Sequence, residues 1–260
     1  MIKLSGPRFQ AKILSVSRLD NDIYEIRLTP PEVTLGEGEF YYVAGQYCGL
    51  GLVNDVGHMR PFSIAGAPDQ GYLEFHIRDN GQGLSATLCD VKQIGLPVYL
   101  TQAAGDVHLV GDATRDIVMF AGGTGYAPMR AILQSLVAQG FSHNIDVFIG
   151  GRDLGALYMF EELLNLSRAL PQLSAYFCAD DVSDQRNDLK ANVYHGNLRA
   201  LAQRHVKEGL QDKRIYISGP PAMVIDIQGF ALDNNAHKDF MHLDEENIAA
   251  YVKQYKENKK

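Results

Sequence analysis

From about Phe9 to Val110 the chain repeats one pattern: short runs in which apolar positions, many β-branched or aromatic, end at a glycine, proline, asparagine or aspartate turn. The runs predict strands over Ala11–Leu19, Ile23–Leu28, Tyr42–Leu52, Phe62–Ala65, Tyr72–Ile77 and Val98–Leu100, with one short helix over Ser85–Val91. So many short strands at close spacing suit a closed antiparallel barrel, because closure leaves no exposed edge.

After Arg115 the period changes. Ile117–Ala121 is a continuous apolar run, followed by a glycine-rich turn and by Pro128–Val137, where Met129, Ile132, Leu133 and Leu136 recur at helical spacing. The cycle then repeats, with strands predicted at Ile145–Ile149, Leu173–Cys178 and Ile215–Ser218 and helices at Ala156–Ser167, Leu198–His205 and Ala222–Leu232. Strands apolar on both faces and alternating with helices mean a parallel α/β sheet. The change of period sets two domains, 1–112 and 113–260, with the boundary near Val110–Thr114. The tail from Asp244 reads as a terminal helix, acidic at its start and basic at its end, as the helix dipole favours.

Length supports the division: 260 residues at 46% hydrophobic can bury two ordinary cores. A net charge of -7 disfavours nucleic acid or an anionic membrane as partner, since either needs a basic face. Cys48, Cys89 and Cys178 lie far apart and lack zinc or iron–sulfur spacing, and the eight histidines show no metal spacing either, so no metal is expected. No apolar run approaches a membrane span and the N-terminus has no signal-peptide core, which predicts a soluble cytoplasmic protein.

Two segments carry candidate chemistry. Gly122-Gly123-Thr124-Gly125 stands where a buried strand ends and a helix begins, so its backbone can approach a phosphate while free N–H groups point at it; a plain tight turn has the same pattern. Pro128 is tolerated at the helix start. Neither the six-residue dinucleotide fingerprint nor a Walker lysine is present, which argues against nucleotide hydrolysis. Arg60-Pro61-Phe62-Ser63 opens a barrel strand, where an arginine fork suits a pyrophosphate and a serine hydroxyl suits a ring nitrogen. Arg60 and Ser63 leave an extended chain on opposite sides, so the two roles need a twisted strand, and a surface arginine beside a turn is the plainer reading.

The order Arg60–Ser63, His76-Ile77-Arg78, Gly83-Leu84-Ser85-Ala86-Thr87-Leu88, Ala121–Pro128 and Ser218-Gly219-Pro220-Pro221-Ala222-Met223 resembles the ferredoxin–NADP reductase superfamily over nearly the whole chain. Within it the sequence is most similar to bacterial NAD(P)H:flavin oxidoreductases. The resemblance implies a Greek-key flavin-binding barrel followed by a parallel α/β NAD(P)-binding domain. It further implies that Arg60 contacts the FAD pyrophosphate or FMN phosphate, Phe62 lies against the flavin and Ser63 bonds flavin N5. Pro61, His76, Ile77, Arg78, Gly83, Leu84 and Ser85 complete the implied flavin site. The resemblance likewise implies that Gly122, Gly123, Thr124, Gly125, Gly219, Pro220 and Met223 hold the nicotinamide dinucleotide, and that Ser63, Thr124 and Ser218 flank the reacting rings. Three departures stand out: phenylalanine at position 62 where tyrosine is common, Gln82 at a glycine site, and Ser218 in place of a cysteine beside the nicotinamide.

Coenzyme choice falls to the adenosine-ribose pocket after the second and third parallel strands, where Gly151-Arg152-Asp153 and Asp180-Asp181 stand. Carboxylates suit a free 2′-hydroxyl and arginine a 2′-phosphate, so two acids against Arg152 favour NADH. The expected activity is hydride transfer from NAD(P)H to FAD or FMN, with electrons passed to free flavin or to a protein acceptor. Two alternatives stay open: an FAD-bound reductase component serving an iron–sulfur protein or oxygenase, and a non-catalytic dinucleotide-binding redox sensor.

Overall fold

The computed structural model describes residues 8–20, 22–35, 38–52, 59–111, 114–183, 189, 191–243, 249 and 253. The terminal helix expected from Asp244 onward, His58 and the predicted boundary at 112/113 lie outside these residues. By its contacts the chain divides into two units: one runs to Leu109 and takes in Ala127–Gly140, the other holds Val110–Tyr126 and the chain from Phe141.

In the first unit seven strands form one antiparallel sheet: β1 (Arg8–Asp20), β2 (Ile23–Leu28), β3 (Glu32–Leu35), β4 (Tyr47–Leu52), β5 (Arg60–Ser63), β6 (Leu73–Arg78) and β7 (Pro97–Thr101). The spatial order is β5-β4-β7-β1-β2-β6, with β3 on β1. An antiparallel bridge between Ile64 and Phe75 joins the two ends of that order, so the sheet closes into the expected barrel. Alternation sends Phe9, Ile26, Leu28, Leu50, Ile64 and Phe75 into the core. The strand expected from Tyr42 starts only at Tyr47, because the Tyr42 hydroxyl turns to the carbonyls of Gly66 and Ala67. A short helix, α1 (Gly83–Leu88), follows β6.

The residues at the start of α2 (Tyr126–Ala138) continue from the second unit's glycine turn, but Ala127–Gly140 packs with the barrel. Arg130 donates to the Ala65 carbonyl at 3.2 Å, and Gln134 accepts from the Ala67 N–H at 3.0 Å. The outer face of β6, which alternation alone would leave to solvent, is buried as a result.

The second unit is a parallel sheet of β8 (Ile117–Gly122), β9 (Ile145–Asp153), β10 (Leu173–Asp181), β11 (Val193–His195), β12 (Arg214–Ser218) and β13 (Met241–Leu243), in the order β11-β10-β9-β8-β12-β13. Its helices are α3 (Phe160–Ala169), α4 (Leu198–His205) and α5 (Pro221–Asp233). β8 is buried at every position. Phe120 stacks on Phe148 at 5.0 Å, and Phe148 on Tyr176 at 4.7 Å, across three neighbouring strands. No helix among the described residues is long and apolar enough to cross a membrane.

Candidate functional site

The strand order of the second unit fixes where a ligand can sit. The chain starts at β8, builds outward through β9, β10 and β11, then returns to place β12 on the other side of β8. Helical connections leave β8 and β12 in opposite directions, so a crevice forms at their carboxyl ends. Both glycine motifs stand there, for Ala121 pairs with Ser218 at the ends of the two strands.

These turns meet backbone to backbone. A Cβ on Gly125 would run into the Ser218 carbonyl, and one on Gly122 would come within 2.7 Å of the Met223 sulfur and 3.0 Å of the Pro220 ring. Gly219, at φ +147°, would meet the Gly122 nitrogen at 2.9 Å, and Gly123 has φ +52°, a left-handed conformation that glycine takes without strain. Thr124 and Ser218 stay half-buried. Bare backbone at a strand-end crevice fits a dinucleotide pyrophosphate, which side chains would hold at a distance. A small apolar pocket adjoins Gly123, lined in part by Tyr126, Tyr158, Phe160 and Phe177.

The carboxyl ends of β9 and β10 are acidic. Arg152 is 84% exposed and lies 3.3 Å from Asp153, whose other oxygen caps the Ala156 N–H. Asp153 pairs in register with Asp181, and Asp180 and Asp181 are both exposed. Arg152 is thus matched by a neighbouring carboxylate, with Asp180 and Asp181 exposed at the end of β10.

In the first unit, β5 alternates. Phe62 packs on the barrel core, opposite Cys48, while Ser63 leaves the other face beside Tyr47. Arg60 and Pro61 are exposed. Four of the residues that the resemblance assigns to the flavin make their own contacts within the first unit. Ile77 is 1% exposed, because alternation along β6 turns its side chain into the core with Phe75. Leu84 also packs inward, and Ser85 donates to the Gln82 carbonyl at 3.4 Å. Arg78 is engaged with Asp22 at 3.0 Å. The start of α1 itself, after Gln82, carries no side-chain cap.

A cluster that the sequence reading did not single out lies on the outer face of β6. Glu74, 1% exposed, sits 2.6 Å from Arg130, 3.2 Å from His76 Nε2 and 3.4 Å from Arg27, which also pairs with Glu25 at 3.0 Å. Burial pushes the Glu74 carboxyl up, but the His76 hydrogen bond and the Arg130 and Arg27 charges outweigh it and hold the group below its ordinary value. Glu25, Glu74 and His76 bring ligand-type atoms within 4.8 Å of one another, yet two guanidiniums already neutralise the carboxylates and would repel a cation, so the group reads as an ion-pair network. Its signal in the sequence was a glutamate and a histidine at alternate positions of an otherwise core-forming strand. The three cysteines are buried, and desolvation pushes the Cys89 and Cys178 thiols up to about 12, as befits packing residues.

Comparison with known proteins agrees with this layout. A family model for the oxidoreductase NAD-binding domain matches residues 119–229. The reductase component of propane 2-monooxygenase from Mycolicibacterium goodii is 27% identical over 237 residues, 90% of this chain and 66% of that protein. The NAD(P)H-flavin reductase of Vibrio harveyi is 29% identical, over 81% of this chain and 86% of its own. In structure, a ferredoxin NADP+ reductase from Neisseria gonorrhoeae with bound FAD and NADP superimposes with a TM-score of 0.72 at 19% identity, covering 88% of this chain and 92% of that one. The chain therefore spans about two thirds of the monooxygenase component and most of the flavin reductase.

Proposed function

We propose that this chain is an oxidoreductase of the ferredoxin–NADP reductase superfamily, and that it takes hydride from NAD(P)H, with NADH preferred, and delivers it to a flavin that leaves as diffusible product. The observation that carries the reading is the pair of turns at β8 and β12, where three glycines leave no room for a Cβ at the sheet's switch point.

The nicotinamide coenzyme supplies the hydride, and the chain's part is to bind and orient. Gly122, Gly123 and Gly125 would present backbone N–H groups to the pyrophosphate, with Gly219 and Pro220 bounding the crevice. Thr124 and Ser218 would offer hydroxyls to the nicotinamide end, and a fixed orientation of that ring is where most of the rate advantage arises. Ser218 lacks a polarisable sulfur, so transfer should be slower than with cysteine at this position. Exposed Asp180 would favour a ribose 2′-hydroxyl over a 2′-phosphate, with Arg152 held back by Asp153.

On the barrel, Arg60 would pair with the flavin phosphate, Ser63 would hydrogen-bond N5, and the uncapped start of α1 at Gly83 would meet the phosphate chain. Phe62 offers no hydroxyl to the flavin tail, which favours loose binding and exchange. The likeness to a monooxygenase reductase component over 90% of the chain supports a second reading, in which the flavin stays bound and serves a protein acceptor.

Anaerobic stopped-flow with NADH and NADPH, in the presence of FMN, FAD or riboflavin, tests both. Bleaching of flavin absorbance is the expected outcome, and yellow colour that persists through gel filtration would favour the bound-flavin reading. Dinucleotide binding without any flavin-dependent oxidation would leave a sensor rather than an enzyme and refute the proposal.

A further inference from the structure

We propose that Glu74 is a positioning residue of the flavin site, holding the His76 imidazole beside Ser63 while Arg130 of α2 holds Glu74. The inference rests on the flavin reading above. It starts from register: the Ile64–Phe75 bridge is antiparallel, and the Ala65 N–H reaches the Glu74 carbonyl at 2.7 Å. Ser63 is therefore opposite His76, and Ala65 opposite Glu74. On the other flank of β6, Glu25 is opposite His76 and Arg27 opposite Glu74. Residues that face each other across antiparallel strands share a side of the sheet, with Cβ atoms about 5 Å apart. Ile26, Ile64 and Phe75 fill the core, so Ser63, His76, Glu74, Glu25 and Arg27 all lie on the outer face.

On an open face such a group would be solvated and mobile. Here the Glu74 and His76 side chains are 1% and 0% exposed, and Arg130 reaches both the Glu74 carboxylate and the Ala65 carbonyl. Gln134, one helical turn further on, takes the Ala67 N–H and the Gln70 amide. The chain that follows Ser63 is thus fastened at Ala65 and Ala67 to one helix.

Chemistry then fixes the imidazole. An ionised carboxylate only accepts hydrogen bonds, so the His76 nitrogen 3.2 Å from Glu74 must carry its proton toward it. That selects the tautomer and the ring orientation, as a carboxylate behind a working histidine does elsewhere. Fixing the ring fixes the buried neighbour of Ser63 across the strand pair, and Ser63 is the residue assigned to flavin N5.

The test has two arms. In flavin-free protein, nitrogen-15 NMR of the imidazoles reads the His76 tautomer in wild type, in Glu74→Gln, and in the double variant Glu74→Gln/Arg130→Met, which removes the charge left behind and preserves folding. Glu74→Asp keeps the charge but withdraws the carboxylate. Wild type should show a single Nε2-protonated form and every Glu74 variant a mixture. In the second arm, flavin reduction by NADH should lose at least tenfold in kcat while KM for the flavin stays within threefold. Arg130→Lys, which keeps a cation on Glu74, should retain most of the wild-type rate. Folded variants with the wild-type tautomer, or with an unchanged kcat and only lower stability, overturn the proposal. A wild type that neither binds flavin nor oxidises NADH with it overturns the flavin reading itself, and the tautomer arm tells the two failures apart.

Discussion

Ile64 pairs with Phe75 across an isolated antiparallel bridge, and this pair closes the barrel immediately after Ser63. Both side chains are 0% exposed, so the closure is packed as well as hydrogen-bonded. Ile64→Ala should destabilise the protein by about 2–5 kcal/mol through the cavity it leaves. Urea unfolding followed by circular dichroism measures this; a loss below the range would mean that the bridge contributes little to closure.

Gly125→Ala should weaken dinucleotide binding and spare the barrel. The added methyl would collide with the Ser218 carbonyl, forcing the two turns apart at the place where the pyrophosphate is expected. KM for NADH should rise at least tenfold, with flavin affinity by fluorescence quenching little changed. Equal loss of both affinities would point to general unfolding instead.

Acid should erase the benefit of Glu74. Its carboxyl lies below the ordinary value in the folded protein, because the His76 hydrogen bond and the Arg130 and Arg27 charges overcome burial. A depressed carboxyl stabilises the fold fully above its unfolded value of about 4.3 and ceases to do so as pH falls through the lower folded value. Glu74→Gln should cost about 3–5 kcal/mol at neutral pH, since it removes the buried carboxylate that pairs with Arg130 and Arg27. The gap to wild type should shrink progressively in acid, and urea titrations across the pH range that show it constant or growing would contradict the ion-pair account.

Asp180→Asn with Asp181→Asn should raise kcat/KM for NADPH several-fold relative to NADH. Both carboxylates are exposed, so each contributes on the order of 0.5 kcal/mol against a 2′-phosphate. The ratio of initial rates with the two coenzymes gives the answer directly, and high salt should compress it.

Thiol reagents should leave native Cys48, Cys89 and Cys178 untouched at neutral pH. All are buried, and the thiols of Cys89 and Cys178 are pushed up to about 12 by desolvation. Labelling should appear only with denaturant. Rapid modification of the folded protein would show that one of these positions opens locally.

Much of this architecture was legible in the chain. The period-2 runs before Val110 and the strand–helix cycle after Arg115 placed most elements within a few residues, and the predicted Ile23–Leu28 and Leu198–His205 coincide with the observed elements. Strands Glu32–Leu35, Val193–His195 and Met241–Leu243 were not foreseen, because three or four residues carry too little pattern to read. Alternation through Leu73, Phe75 and Ile77, by contrast, made the inward course of these side chains legible.

Sequence by itself determined the two architectures and the position of the glycine turn, since both follow from local periodicity and from residues that only certain backbones accept. It could not decide that Gly122, Gly125 and Gly219 press against one another, or that Glu74 is buried. Those depend on which strand lies beside which, and on Arg130 arriving from a helix 56 residues further along the chain. Alternation marks which face of a strand a side chain takes; only the completed fold decides whether that face meets water or a guanidinium.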